Sequence, residues 1–341
     1  MATGGGLRQV VYLSNRPAVL AETLGYVRHF QPWLTQAVVL TPSPDEVRAA
    51  TAGIGLDVVV LHDRDVLAAG EQVPGSHSAR NAFLRRALAR RGPLDDVFLQ
   101  SDDDYRPLKP VAEDLFVDDG RLVSYFFYDL ARWRRNESTY DGVQHNSYLA
   151  LSYLGAPHLA YASHMPQPLD RELLLLAFDE AERISGHAEF CEWSLPLNHG
   201  RLVAPERFAE PRLFRTLGWP QYPHEWPFWQ RPDDVAFENF YPELYQPGHL
   251  FAGLSTALDP VAPERQAFDK LARWHRFDLE AGRLRFPPGV ANPWETSRGR
   301  RAFFRLARRT RKLYEYAALE ERTALSELAG AVARLERGQG R

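Results

Sequence analysis

Four short apolar runs alternate with helix-compatible stretches over the first hundred residues, and this alternation limits the chain's fold more than anything else in it. Gln9–Leu13 (QVVYL), Ala37–Leu40 (AVVL), Leu56–Leu61 (LDVVVL) and Asp96–Gln100 (DVFLQ) are β-rich and four to six residues long. Between them, Val19–Phe30 follows a Pro17 suited to a first helical turn, and Pro44–Ala50 has helical spacing. His77–Arg90 is rich in Arg and Ala and is stopped by Gly92-Pro93. Strands that alternate with helices predict βαβ units and a mostly parallel α/β sheet. Ligands of such sheets gather beyond the carboxyl ends of the strands. Two loops qualify, Ser14-Asn15-Arg16 after the first strand and Asp102-Asp103-Asp104 after the fourth.

Beyond residue 120 the pattern changes. Leu122–Tyr128 predicts an aromatic strand, and Leu169–Ile184 a buried helix. Residues 211–250 are crowded with Trp, Tyr, Phe and Pro, which reads as an ordered irregular segment. Arg298–Lys312 carries eight basic residues and no acidic one, with Phe303, Phe304 and Leu306 among them. The predicted organisation is an α/β domain over 8–205, an aromatic-rich extension over 206–295, and basic and amphipathic helices over 296–341.

Composition removes several function classes. Forty-one Lys and Arg against 44 Asp and Glu leave a net charge of −3, and no nucleic-acid motif is present, so a nucleic-acid partner is not expected. A single cysteine, Cys191, excludes an intramolecular disulfide and a thiolate zinc site, and suits a reducing cytoplasm. The first residues lack the charged and apolar regions of a signal peptide. No apolar run approaches the roughly 20 residues of a membrane span.

The acidic triplet is the strongest chemical signal. In an extended segment, residues i and i+2 point the same way, so Asp102 and Asp104 can present carboxylates to one point. Adjacent carboxylates repel, and a divalent cation removes the repulsion. Mg²⁺ or Mn²⁺ takes one or two protein carboxylates and completes its shell with water and phosphate oxygens.

A βαβ half followed by Asp-x-Asp after about a hundred residues resembles the GT-A-fold glycosyltransferases. The resemblance is one of layout over roughly residues 8–200. It implies a nucleotide-sugar donor, with Ser14, Asn15 and Arg16 meeting the nucleoside and Arg80 and Asn81 facing base and ribose. It implies that Asp102 and Asp104 bind the metal–diphosphate, with Asp103 in the same donor-binding loop. A second likeness lies in Ser163-His164-Met165-Pro166-Gln167-Pro168-Leu169-Asp170-Arg171, which is similar to the His-Met-Pro box of the Stealth sugar-1-phosphate transferases. The Trp-Val-(Asp/Asn)-Gly element that opens that family is replaced here by Val10–Arg16.

Three acidic residues compete for an acid–base role beside His164. An imidazole can contact a phosphate as a cation or take a proton from an acceptor hydroxyl. Glu189, 85 positions beyond Asp104, has the spacing at which many inverting GT-A enzymes place the base, and Glu192 would share its face on a helix. Asp170 suits either a base or the first turn of a helix. Trp219, Tyr222, Trp226 and Trp229 suit sugar-ring walls or an aromatic mini-core. The 298–312 segment suits an anionic membrane, a polyanionic acceptor or a solvated face. The resulting expectation is a metal-dependent glycosyltransferase acting on a glycan or glycolipid-type acceptor. A sugar-1-phosphate transferase and a non-catalytic nucleotide-sugar-binding protein stand as alternatives.

Overall fold

A computed structural model describes residues 6–133, 139–185, 189–217, 235–247 and 249–280. The central sheet is built from β1 (Gln9–Leu13), β2 (Gln36–Thr41), β3 (Asp57–His62) and β4 (Val97–Asp102). These strands are parallel in the order β4-β1-β2-β3. Helices α1 (Pro17–Phe30), α2 (Pro44–Thr51) and α3 (His77–Arg91) connect them, within two residues of the boundaries the sequence predicts. The strands read as apolar runs because both sheet faces are covered. Right-handed crossovers put α1 and α2 on one face and α3 on the other. Accordingly, α1 packs on α2 while α3 packs on the later helices α4 (Thr139–Leu154) and α5 (Arg171–Ser185).

The chain runs outward from β1 to β3 and returns to place β4 on the other side of β1. Between β1 and β4 the connection changes direction, which opens a crevice at their carboxyl ends. The Ser14 and Asp102 loops both end there.

Two expectations are corrected. The helix predicted over Leu169–Ile184 begins at Arg171 as α5, and Gln167–Asp170 before it is a strand, β6, which pairs antiparallel with β4 at the sheet edge. Pro168 offers no N–H, and an edge strand tolerates that. Leu122–Tyr128 is not one strand; pieces at Arg121–Leu122, Tyr125–Phe126 and Tyr128–Asp129 pair with three different partners. The chain then continues past residue 205. Beyond it come β7 (Thr216–Leu217), β8 (Phe237–Asn239) and α7 (Pro263–Glu280). There β8 adds antiparallel to β5 (Tyr105–Pro107), the strand that leaves the acidic triplet. Buried side chains form one cluster from Leu7 to Trp274. Residues 296–341, the basic segment within them, and Trp219, Tyr222, Trp226 and Trp229 lie outside the described residues. Among the described residues, no helix is long and apolar enough to cross a membrane.

Candidate active site

Strand register brings the two loops together. Leu13 pairs with Leu40 on one side and with Asp102 on the other, so the next residues, Ser14 and Asp103, meet. The Ser14 hydroxyl donates to Asp103 Oδ2 at 2.5 Å, and the Arg16 amide donates back to Ser14 Oγ at 3.1 Å. The Arg16 guanidinium bonds Asp103 through Nε at 3.2 Å and through Nη2, and Nη2 also reaches Asp104 Oδ2 at 2.9 Å. Asp103 is therefore buried and committed to the loop. Asp102 ends β4, while Asp103 and Asp104 form the turn into β5, so the triplet is only partly extended.

On the far side of the turn, Arg85 reaches up from α3 with a buried side chain. Its Nη2 donates to Asp102 Oδ1 at 2.5 Å and to the Ser101 carbonyl at 3.3 Å. The guanidinium lies 4.9 Å from the Trp193 ring centroid. Its Nε is 4.0 Å from Glu192 Oε1, which is charge attraction without a hydrogen bond. Burial pushes the Glu192 carboxyl up to about 7; Arg85 opposes the shift and Asp102 adds to it.

A cleft of about 410 Å³ opens beside the turn, lined by Ser14, Asn15, Arg16, Asp63, His77, Arg80, Asn81 and the three aspartates. Arg80 and Asn81 thus share the cleft with the first loop. Arg80 Nη2 holds Asp63 Oδ2 at 2.6 Å, and Asn81 Nδ2 lies 3.3 Å from His77 Nε2. The other Asp63 oxygen is buried with no hydrogen-bond partner. Sequence reading missed Asp63, His77 and Arg85. A signal existed for two of them, because 77, 81 and 85 repeat at i+4 and fall on one helical face.

Asp104 is pushed up to about 7, first by burial and then by the charges of Asp102 and Asp103, with Arg16 opposing. A divalent cation at Asp102 and Asp104 would reverse this penalty. Among the described residues, no three His, Cys, Asp or Glu side chains stand in metal-ligating geometry. A hard cation that borrows phosphate and water oxygens needs only one or two protein carboxylates, so the pair fits.

The remaining candidates separate. Glu189 and Glu192 are not on a helix; both precede α6 (Ser194–Val203) in an irregular stretch. Glu189 accepts from the Ser76 hydroxyl at 3.2 and 3.1 Å, and Ser76 in turn caps α3 through the Ala79 amide. Only Glu192 sits beside Arg85 and Asp102. Asp170 pairs with Val97, at the opposite end of β4 from Asp102, so about 16 Å of strand separates it from the triplet. Its carboxylate caps α5 at the Leu173 amide (3.0 Å) and meets Arg207 at 2.5 Å. Asp170 thus stands apart from the triplet, at the start of α5.

His164 adopts φ +55°, in the left-handed region, where non-glycine residues are uncommon and often mark functional loops. Thr216 Oγ1 holds its carbonyl at 2.9 Å, and its ring stands edge-on to Tyr105, centroids 6.0 Å apart. Burial lowers its pKa to about 4 against the pull of Asp102. A pKa that low leaves the imidazole neutral near pH 7, which weighs against the cationic of its two expected roles.

No family model and no curated protein matches the chain. Solved structures that resemble it include the galactosyltransferase LgtC in complex with donor and acceptor sugar analogs, at 15% identity and TM-score 0.40, over 88% of this chain and 95% of that one. Mouse xyloside xylosyltransferase 1 in its apo form matches at 10% identity and TM-score 0.40, over 70% of this chain and 99% of that one. Glucosyl-3-phosphoglycerate synthase from Mycobacterium tuberculosis, in complex with phosphoglyceric acid, matches at 15% identity and TM-score 0.39, over 80% and 82%.

Proposed function

We propose that this chain is a glycosyltransferase that moves a sugar from a nucleoside-diphosphate sugar to a hydroxyl of a glycan or glycolipid, with Mg²⁺ or Mn²⁺ at Asp102 and Asp104. The observation that carries this reading is the convergence, at the β1/β4 crevice, of a buried acidic turn with Arg16 and Arg80 in one cleft. Anionic phosphates need the cations, and the carboxylates need a metal to face phosphates at all. When bound, that metal supplies charge to the departing diphosphate.

The chain's own residues divide the work. Arg16 and Ser14 fix the turn through Asp103, and Asn15, Arg80 and Asn81 line the nucleoside side. Glu192 is the base for an inverting transfer, displacing Glu189 because only Glu192 stands beside Asp102. The acceptor oxygen bonds the anomeric carbon, its proton passes to a Glu192 oxygen, and the bond to the diphosphate breaks with its electron pair leaving on the phosphate oxygen. A carboxyl that titrates near 7 is suited to this exchange. His164, neutral, would orient rather than neutralise. The acceptor reading extends to a cytoplasmic enzyme that meets an anionic membrane through 298–312. Sedimentation with anionic but not neutral vesicles tests that extension.

The decisive test is nucleotide release. With Mn²⁺ or Mg²⁺, a panel of UDP-, GDP-, dTDP- and ADP-sugars and mixed acceptors, the expected product is a nucleoside diphosphate. A monophosphate would favour sugar-1-phosphate transfer, and donor binding without release a binding protein. The double substitution Asp102→Asn with Asp104→Asn is expected to lower turnover by at least about 100-fold at unchanged secondary structure. Unchanged turnover would remove the triplet from the mechanism.

A further inference from the structure

We infer that Thr23 and Arg106 are positioning residues for the acidic turn, and that residues 235–280 act on the candidate active site through them. The functional consequence rests on the donor-binding reading of Asp102 and Asp104; the positioning itself does not.

Arg106 is fully buried on β5, immediately after the turn. Its guanidinium donates from Nη2 to Glu22 at 2.9 Å, from Nη1 to the Thr256 carbonyl at 2.8 Å, and from Nε to Thr23 Oγ1 at 3.2 Å. It lies 3.7 Å from the Phe240 ring centroid. A guanidinium only donates, so the Thr23 hydroxyl accepts from it and must place its single proton elsewhere. That proton goes to the Asp103 carbonyl, 2.5 Å away. Charge on the donor polarises the hydroxyl and strengthens the second bond. The next carbonyl, that of Asp104, accepts from the Phe240 amide at 2.7 Å. Two consecutive peptide groups of the turn are thus gripped from behind, one by α1 and one by the end of β8.

The grip continues into the C-terminal part. Opposite Arg106 in the β5–β8 ladder stands Glu238, also fully buried, whose Oε2 accepts from Lys270 Nζ of α7 at 2.7 Å. Lys270 Nζ also donates to Tyr26 of α1 at 3.0 Å. Buried ion pairs are poor sources of stability, because desolvation consumes most of the attraction. What they provide here is direction. Arg106 has one orientation that serves Glu22, Thr256 and Thr23 together, and that orientation aims the Thr23 proton at Asp103.

The test compares native protein with Thr23→Val, which keeps shape and loses the hydroxyl, and Thr23→Ser, which keeps the hydroxyl. Hydrogen exchange is measured over residues 102–107, Mn²⁺ binding by paramagnetic resonance titration, and melting temperature on the same samples. Thr23→Val is expected to exchange faster across the turn and to bind Mn²⁺ about tenfold more weakly, which corresponds to about 1.4 kcal/mol. Thr23→Ser is expected to restore both. Thr23→Ala replaces the valine variant if the latter does not fold. Native-like exchange and Mn²⁺ affinity in Thr23→Val would overturn the inference. If native protein binds no Mn²⁺ even with a nucleoside diphosphate present, the donor-binding reading fails, and the exchange data decide the positioning alone.

Discussion

Glu192 is the residue whose surroundings most restrict its chemistry. It is buried next to a guanidinium that it does not touch: Arg85 gives only Nη2 to Asp102 and Ser101, and its Nε, 4.0 Å from Glu192, has no hydrogen-bond partner. Its folded pKa of about 7 lies above the ordinary 4.5, so the native state disfavours the carboxylate. The stability this costs is absent below about pH 4.5 and complete above about 7. Glu192→Gln is therefore expected to melt with the native protein at pH 4.5 and above it at pH 8, by up to about 3 kcal/mol. Equal melting at both pH values would contradict the burial of an ionised Glu192. If Glu192 is also the base, kcat/KM falls as pH drops below about 7, and the glutamine variant loses that limb. His164 has the opposite sign: with its pKa lowered from 6.5 to about 4, its stabilising contribution is present above 6.5 and lost as pH falls toward 4. The sequence made Asp102, Asp104 and Arg16 legible, because an apolar run followed by polar residues marks a strand's carboxyl end. Spacing alone put Glu189 ahead of Glu192. The choice between them depends on where Arg85 reaches, and the three-residue spacing argued for a helix that does not form there.

Helix α3 shows how one element serves both sides of the site. His77, Arg80 and Asn81 face the cleft, and Arg85 passes beneath the turn. Ser76, held by Glu189, supplies its N-cap; Ser76→Ala is expected to cost about 1 kcal/mol in denaturant unfolding. Packing between α5 and α6 depends on Gly200, where an added Cβ would stand 2.8 Å from Phe208 Cζ and 3.4 Å from Leu173 Cδ1. Gly200→Ala is expected to destabilise by about 1–3 kcal/mol, since the obstruction is core side chain on two sides. A native melting temperature would mean that Phe208 can withdraw. The βαβ half was readable because its strands and helices differ in period. The strand Gln167–Asp170 was not, since it runs without a break into the apolar stripe of α5 and no turn residue separates them.

Over the whole molecule, the C-terminal elements are part of the same body as the βαβ half. One hydrophobic cluster spans them, and the Lys270–Glu238 pair is sealed between α1, β8 and α7. Lys270→Met alone is expected to lose about 3–5 kcal/mol by leaving a buried carboxylate unpaired. Combining it with Glu238→Leu should recover much of that loss, and a double variant no better than the single would show that the pair itself stabilises. This arrangement was invisible in the sequence, where composition suggested an appended extension. A pairing between residues 106 and 238 leaves no local trace. The edge strand has its own consequence for the molecule's dealings with its neighbours. Among the described residues no strand lies outside β6, yet a second molecule cannot readily extend the sheet there, because all four residues of β6 are buried and Pro168 lacks a donor that an incoming backbone would need. Burial and a missing N–H together guard the sheet against edge-to-edge aggregation.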